Sequence, residues 1–256
     1  MAVLGPVEIR GAAQPFARAA SKELVVYLAF HRQGVRNDVW ATALWTDRCI
    51  ASSTLHSTAS VARRALGRSP SGGEHLPRGG RRLRLAGSVG TDVDRFAAAA
   101  GGADPNGWKE ALALVRGRPF EGLHLADWAV LDGTQAQLEA MVVGTALKAA
   151  EYFLRRGRGE EAEWAVRRGL RANPYDERLY RGLLWAMERM GNRAGMWSTM
   201  AELRFLSTDG ADRSAGHGAG MERRTVPPSV HPTTVALFRE LSQRESPAAR
   251  GEPSRL

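Results

Sequence analysis

The feature that most constrains this chain is an internal repeat. Gly157 and Gly191 stand 34 residues apart, and so do Ala149/Leu183, Ala150/Leu184, Phe153/Met187 and Ala162/Met196. A helix, a glycine turn and a second helix recurring at that period is the tetratricopeptide signature. One such pair cannot bury its apolar stripe alone, so the copies must stack on one another. Two copies are visible, and Trp128–Gly144 offers a preceding helix. Helices are predicted over Trp108–Val115, Trp128–Arg155, Glu160–Arg171, Asp176–Met190 and Arg193–Phe205, with Gly133 and Gly144 as points where the second bends or breaks. Short loops between them make neighbouring helices antiparallel. An ordinary helical bundle with a chance register is the competing reading.

The loop Gly101–Gly107 separates this region from a different pattern. Val3–Ile9 alternates weakly and predicts a short strand. From Ser21, Leu24, Tyr27, Leu28 and His31 recur at helical spacing until Gly34. A second helix, Val39–Trp45, is capped by Asn37 or Asp38 and turns Val39, Trp40, Ala43 and Leu44 inward. A third starts at Ser52 or Ser53, runs to Leu66 and ends at Gly67. Leu76–Leu85 reads as a hairpin turned at Gly79-Gly80, its leucines alternating with arginines. Strand, three helices and hairpin, in that order, outline a winged helix. The expected fold class is therefore mainly α with a small β component: an N-terminal winged helix-turn-helix, then a tetratricopeptide-like α-helical domain. The expected divisions are 1–97 for the first, 107–206 for the second, 207–230 as a disordered linker, and 231–256 as a short helix and tail. In that last helix, Thr233–Gln243, Val235, Phe238 and Leu241 should face inward.

Charge follows the same division. The chain carries 36 Lys and Arg against 27 Asp and Glu, a net of +9. Residues 1–100 hold 14 cations and 7 anions, residues 101–206 hold 15 and 14, and residues 207–256 hold 7 and 6. Within 61–86, seven arginines face the single Glu74. Positive charge so concentrated favours a polyanion, with nucleic acid ahead of an anionic membrane surface. On the third helix, Leu55, Ala59, Ala62 and Leu66 share one face, while Ser53, Ser57, Ser60 and Arg64 share the opposite one. His56 and Arg63 flank that outer face, and Arg68 lies just beyond the helix. Small hydroxyls allow close approach to phosphates and base edges, arginine can pair bidentately with guanine, and histidine can donate. Arg78, Arg81, Arg82 and Arg84 on the hairpin can reach an adjacent minor groove or its phosphates. The expected partner is double-stranded DNA.

Other chemistry lacks its residues. The six histidines are scattered, and Cys49 has no second cysteine, so neither a zinc site nor a disulfide is expected. Gly102–Lys109 fails as a phosphate loop because Trp108 separates glycine from lysine and no Ser or Thr follows. Cys49 reads as an inert thiol. Trp40, Trp45, Trp128, Trp164, Trp185 and Trp197 fall on helices and read as core or repeat-packing residues. No catalytic constellation, metal site or cofactor site is read, so the chain is not expected to be an enzyme. The longest strictly apolar run, Leu24–Phe30, is far too short to span a bilayer, and no signal peptide is read at Met1–Arg10. A cytoplasmic protein without a membrane partner is expected. No receiver domain is read before the winged helix, so control by phosphorylation is not predicted.

Several runs resemble a known family. Val3–Ile9, Ser21–His31, Ala43-Leu-Trp45, Thr54-Leu55 and Ser60–Gly67 resemble the winged-helix domain of the actinobacterial antibiotic regulatory proteins. Val93–Phe96 resembles the lead into their second half. Ala111-Leu112, Pro119–Leu123, Asp127-Trp128, Gly169-Leu170, Asn173–Tyr180 and His231–Phe238 resemble the bacterial transcriptional activator domain. The resemblance implies a sequence-specific DNA-binding transcription regulator. Its helical domain would form a homo-oligomer or contact RNA polymerase or another protein. The family's DNA-facing positions fall on Thr54, Ser57, Ser60, Arg63 and Arg64 and on the hairpin. The chain departs from the family at Ala59 and Ala62, which are often large apolar residues, and at Arg81, which is usually Tyr. The same domain pair also ends large actinobacterial cell-envelope proteins, and Gly34–Trp45 with Thr54–Ser60 resembles those copies. That likeness implies the alternative of a protein-interaction module that does not bind DNA.

Overall fold

The apolar run Leu24–Phe30 falls inside a helix that is buried on almost every side, and its surroundings set the shape of the N-terminal part of the chain. The computed structural model describes residues 1–47, 49–78, 81–124, 127–214 and 230–244. Among these are eleven helices and three isolated antiparallel bridges, Ala2 with Glu8, Val35 with Leu83 and Arg68 with Glu74. The fold class is the expected one, mainly α with a small β component. The chain divides into two compact units, which do not follow one another in sequence. The first comprises Met1–Ala99 and Arg116–Ala140, the second Ala100–Val115 and Met141–Leu256.

In the first unit, α1 (Ala19–Phe30) buries Ser21, Glu23, Leu24, Val25, Val26, Tyr27, Leu28 and Ala29. A helix apolar all round must be covered all round. α2 (Asn37–Leu44) and α3 (Ser52–Leu66) cover one side, with Trp40, Leu44, Ala62 and Leu66 buried between them. Residues 116–131 cover another. Phe120 and Trp128, each 4% exposed, join Tyr27, Phe30 and His31 in an aromatic cluster. Tyr27 stacks on His31 at 4.0 Å and meets Trp128 edge-on at 5.0 Å. The Glu23 carboxylate, buried beneath this cover, accepts the His124 amide at 2.8 Å.

The predicted strand Val3–Ile9 is not extended. Gly5 has φ +136, which folds the segment back so that Ala2 pairs with Glu8. A Cβ at Gly5 would meet the Gly117 nitrogen at 2.6 Å, so only glycine fits there. The amides this turn leaves over go to a side chain. Asp92 accepts from Val3 at 2.9 Å and from Leu4 at 3.0 Å. On the other side, Arg116 and Phe120 donate their amides to Leu4 and Val3 carbonyls at 2.7 and 2.9 Å. Asp92 opens α4 (Asp92–Ala100), where Thr91 and Asp94 exchange reciprocal hydrogen bonds in a capping box.

The second unit is built from α5 (Pro105–Ala113), most of α7 (Thr134–Arg155), α8 (Gly159–Ala172), α9 (Glu177–Arg189), α10 (Arg193–Ser214) and α11 (Pro232–Gln243). The eight non-glycine residues of the period-34 pairs quoted above are all buried. Gly157 and Gly191 have φ +74 and +68, the left-handed conformation that ends α7 and α9 and allows the next helix to double back. Asp176 caps α9 by accepting the Arg178 amide at 3.0 Å.

Several boundaries differ from the predicted ones. Gly133 does break the Trp128 helix, leaving α6 (Asp127–Leu131) apart from α7, whereas Gly144 lies unbroken within α7. α10 does not stop at Phe205 but continues to Ser214, so 207–214 are helical rather than linker. The rest of the expected linker, 215–229, and the tail 245–256 lie outside the described residues, as does the Gly79-Gly80 turn. In α11, Phe238 and Leu241 are buried as predicted, and Thr234 is buried while Val235 is only partly so. Val39 is 43% exposed and Trp197 61% exposed, so neither is a core residue; Trp197 instead lies against Phe238 at 4.7 Å.

This packing predicts which fragment folds. A fragment spanning 1–100 leaves one side of α1 uncovered and loses the burial of Phe120 and Trp128. At about 1.5–3 kcal/mol for each fully buried large side chain, the loss is about 3–6 kcal/mol. Thermal melts followed by circular dichroism should show 1–140 melting cooperatively and 1–100 melting far lower or without cooperativity.

Candidate nucleic-acid interface

The predicted interface residues start from α3. Its buried face is Thr58, Ala62, Ala65 and Leu66, with Leu55 and Ala59 only half-buried. The helix is thus turned toward Thr58 and Ala65 relative to the predicted face of Leu55, Ala59, Ala62 and Leu66. Two contacts explain the turn. The Ser21 hydroxyl donates to the Thr58 carbonyl at 3.2 Å, and the Ala13 amide donates to the Ala65 carbonyl at 2.8 Å. Small side chains at 62 and 65 admit these close approaches. No side chain caps α3; its N-cap position is Ala51 rather than a serine.

The opposite face keeps Ser53, Thr54, His56 and Arg64 exposed, with Ser57 and Ser60 half-buried. Arg18 donates to the Ser57 hydroxyl at 2.9 Å. This arginine was missed by sequence reasoning, because it lies 39 residues before its partner and outside any helical pattern. Arg63 is the predicted residue whose surroundings differ most from a free cation. Its side chain is 16% exposed, its Nε donates to the Leu76 carbonyl at 2.9 Å, and Glu74 lies 3.8 Å away. Burial draws its pKa down, and the Glu74 charge opposes that shift. Arg63 thus ties the start of the ribbon to α3.

Ser60, Arg63, Arg64, Arg68, Glu74 and Arg78 line one hollow of about 290 Å³ at the C-terminal end of α3. Arg68 donates to the Gly72 carbonyl at 3.2 Å, and Arg78 lies 3.7 Å from Glu74. Arg64 makes no side-chain hydrogen bond or ion pair with a described residue. The other three hairpin arginines are placed elsewhere. Leu83 pairs with Val35, exchanging amide-to-carbonyl bonds of 2.8 and 2.7 Å, and this sets the 81–84 segment beside the turn before α2. Arg82 reaches the Gly34 carbonyl at 3.4 Å, whereas Arg81 and Arg84 are exposed and bond to no described residue. The arms of the ribbon meet where the Ala86 amide donates to the His75 carbonyl at 2.8 Å. Leu76 and Leu85 are buried and Leu83 is half-buried, so the alternation of leucine with exposed arginine holds.

Among the described residues no group of His, Cys, Asp or Glu is arranged to hold a metal ion. Cys49 is exposed and free. No described helix is long and apolar enough to cross a membrane.

The architecture is that of a two-unit helical protein, a five-helix unit with a basic arginine-rich segment and a unit of stacked helix pairs. The chain belongs to the bacterial transcriptional activator domain family: the model of that domain matches residues 77–209, just over half of the sequence. The match takes in α4, α6 and the arginine segment 81–84 of the first unit, and most of the second. Among solved structures, that of Mycobacterium tuberculosis EmbR in complex with a low-affinity phosphopeptide is similar in fold, with a TM-score of 0.57 and 23% sequence identity. The similarity covers 94% of this chain and 64% of that one, so the chain spans less than two thirds of that structure's length. No curated protein matches the chain.

The geometry separates two adjacent arginines. Arg63→Ala removes a half-buried charged hydrogen bond and should cost about 1.5–3 kcal/mol of stability. Arg64→Ala touches no described partner and should stay within about 0.5 kcal/mol of wild type. Urea unfolding of both variants measures the difference.

Proposed function

We propose that the chain is a DNA-binding transcription regulator whose first unit works as a winged helix. In this reading the exposed face of α3 enters the major groove, and Ser53, Thr54, His56 and Ser57 approach base edges and phosphates. Arg64, on the same face, reaches a base edge, while Arg68 and Arg78, with Ser60 between them, take the phosphates bordering the hollow. Arg81, Arg82 and Arg84 form the wing and reach toward a neighbouring groove. Arg63 positions the ribbon rather than reading DNA.

The observation that carries this reading is the state of the arginines. Arg64, Arg81 and Arg84 have no internal partner among the described residues, and all three belong to a segment with seven arginines and one glutamate. Cations left unpaired on one unit gain most from a polyanion, whose condensed counterions are released on binding. Membership of a transcriptional activator domain family supports the same class of function. The second unit, a stack of helix pairs, serves in this reading as the platform for self-association or for a protein such as RNA polymerase. The chain is read as an intracellular regulator rather than an enzyme.

Fluorescence anisotropy of the full chain on duplex DNA, across a salt series, tests the reading. Arg84→Ala should weaken binding to every sequence alike and reduce the salt slope by about 0.9, the value of one phosphate contact. Arg64→Ala should weaken binding and also relax sequence preference. Both variants binding as wild type would overturn the assignment.

A further inference from the structure

The second unit carries a second concentration of positive charge, one that the chain order hides. Residues 101–206 are nearly neutral, with 15 cations against 14 anions. Folding nevertheless gathers unmatched cations on one surface. A hollow of about 740 Å³ lies between α7 and α9, and a second of about 500 Å³ lies between α7 and the loop before α5. They share Glu151 and Arg155 as a common wall, so the two form one surface across α7.

The cations on this surface fall into two sets. Arg155 is paired with Glu151 at 2.5 Å, Arg178 with Asp176 at 2.6 Å, and Arg244 with Glu188 at 3.8 Å and Glu240 at 2.6 Å. Lys148, Arg156, Arg181 and Arg189 have no ion-paired carboxylate among the described residues. Arg156 lies flat on Tyr152, 3.6 Å from the ring centre, and Arg181 donates to the Thr234 hydroxyl at 3.0 Å. Between the two sets the floor of the larger hollow is apolar, formed by Leu147, Ala150, Leu154 and Trp185.

We infer that this surface is a docking groove for an acidic peptide segment of a partner protein, one with carboxylates flanking an apolar side chain. Charge complementarity selects the sign: four unmatched cations surround the groove, and opposite potentials give specificity and fast encounter. The apolar floor selects a peptide over a nucleic acid, because a duplex presents phosphates and sugars and would leave Leu147, Leu154 and Trp185 wet. The volume suits a few side chains with a small number of placed polar groups. The pair Glu151–Arg155 is exposed on both sides, 62% and 74%, so it contributes little and its arginine can exchange partners for an incoming carboxylate. The inference rests on the reading of the second unit as a partner platform and does not depend on DNA binding by the first.

A fully randomised displayed peptide library, selected on the full chain, tests it. Enriched peptides should carry Asp or Glu around a Leu, Phe or Trp. A synthetic peptide of the enriched sequence should bind about tenfold or more weakly to the double variant Lys148→Glu/Arg189→Glu and more tightly to Glu151→Gln, since the one change reverses the attraction and the other removes a competing carboxylate. Glu151→Gln touches only a surface pair, so it keeps the test decisive if the double variant fails to fold. Random duplex DNA, measured in parallel, should bind wild type and double variant alike. No enrichment of acidic peptides, or no change in affinity in either variant, would overturn the proposal. So would equal loss of peptide and DNA in the double variant, which would make the groove a nucleic-acid surface. Peptide binding that follows the prediction while wild type binds no DNA would uphold the groove and sink the proposed function instead.

Discussion

A helix that is apolar on every side has to be covered on every side, and α1 is such a helix. Two helices of the first unit cannot surround it, so the chain returns to it with residues 116–131, which lay Phe120 and Trp128 against Tyr27 and Phe30. That return fixes the rest of the unit. The N-terminal residues are trapped between the returning segment and the start of α4, with Val3 and Leu4 bonded to both. Asp92 supplies the acceptor that a neighbouring strand would otherwise provide. Buried backbone amides left without it would each cost about 1–3 kcal/mol. Because α1 is held in this way, α3 can lie across it with one face buried and the other free.

The consequence for function is a division of the arginines by their partners. Arg63 is drawn in by Leu76 and Glu74 and the Arg18 guanidinium by Ser57, while Arg64, Arg81 and Arg84 have no partner among the described residues. The same division recurs in the second unit, where Arg155 and Arg178 are tied to carboxylates and, among the described residues, Arg189 and Lys148 are not. Each unit therefore presents a surface whose sign is set by the cations its own fold leaves unmatched. In the first the neighbours are hydroxyls and a histidine, and in the second they are leucines and a tryptophan. The two surfaces suit different kinds of partner.

Much of the fold was legible because its signals are local. The spacing of 34 between Gly157 and Gly191 depends only on helix length and turn chemistry, and the paired positions are buried in both copies. The three helices before residue 67 follow from apolar spacing in the same way, with Gly34 and Gly67 ending the first and third. What was not legible depends on contacts between distant residues. Hydropathy marks Leu24–Phe30 as buried without saying that residues 116–131 bury it. The alternation of Val3–Ile9 suggests a strand, but Gly5 and the Asp92 carboxylate turn it into a folded strap. The inner face of α3 turns toward Thr58 because Ser21 and Ala13 bond to its carbonyls, which no helical wheel contains. Of the predicted interface, Ser60, Arg63, Arg64, Arg68 and Arg78 share one hollow, while Arg81, Arg82 and Arg84 stand apart on the segment held by Val35. The basic groove of the second unit could not be found by counting charge along the chain, since its cations come from two separate helices and the residues just past helix ends, and cancel against anions on other faces.

The central claim is that the free face of α3 reads DNA. In-vitro selection of the full chain on a randomised duplex pool, at physiological salt, tests it most directly. The account predicts that successive rounds converge on a discrete sequence motif, bound more tightly than the starting pool. A pool that stays random after selection would contradict it.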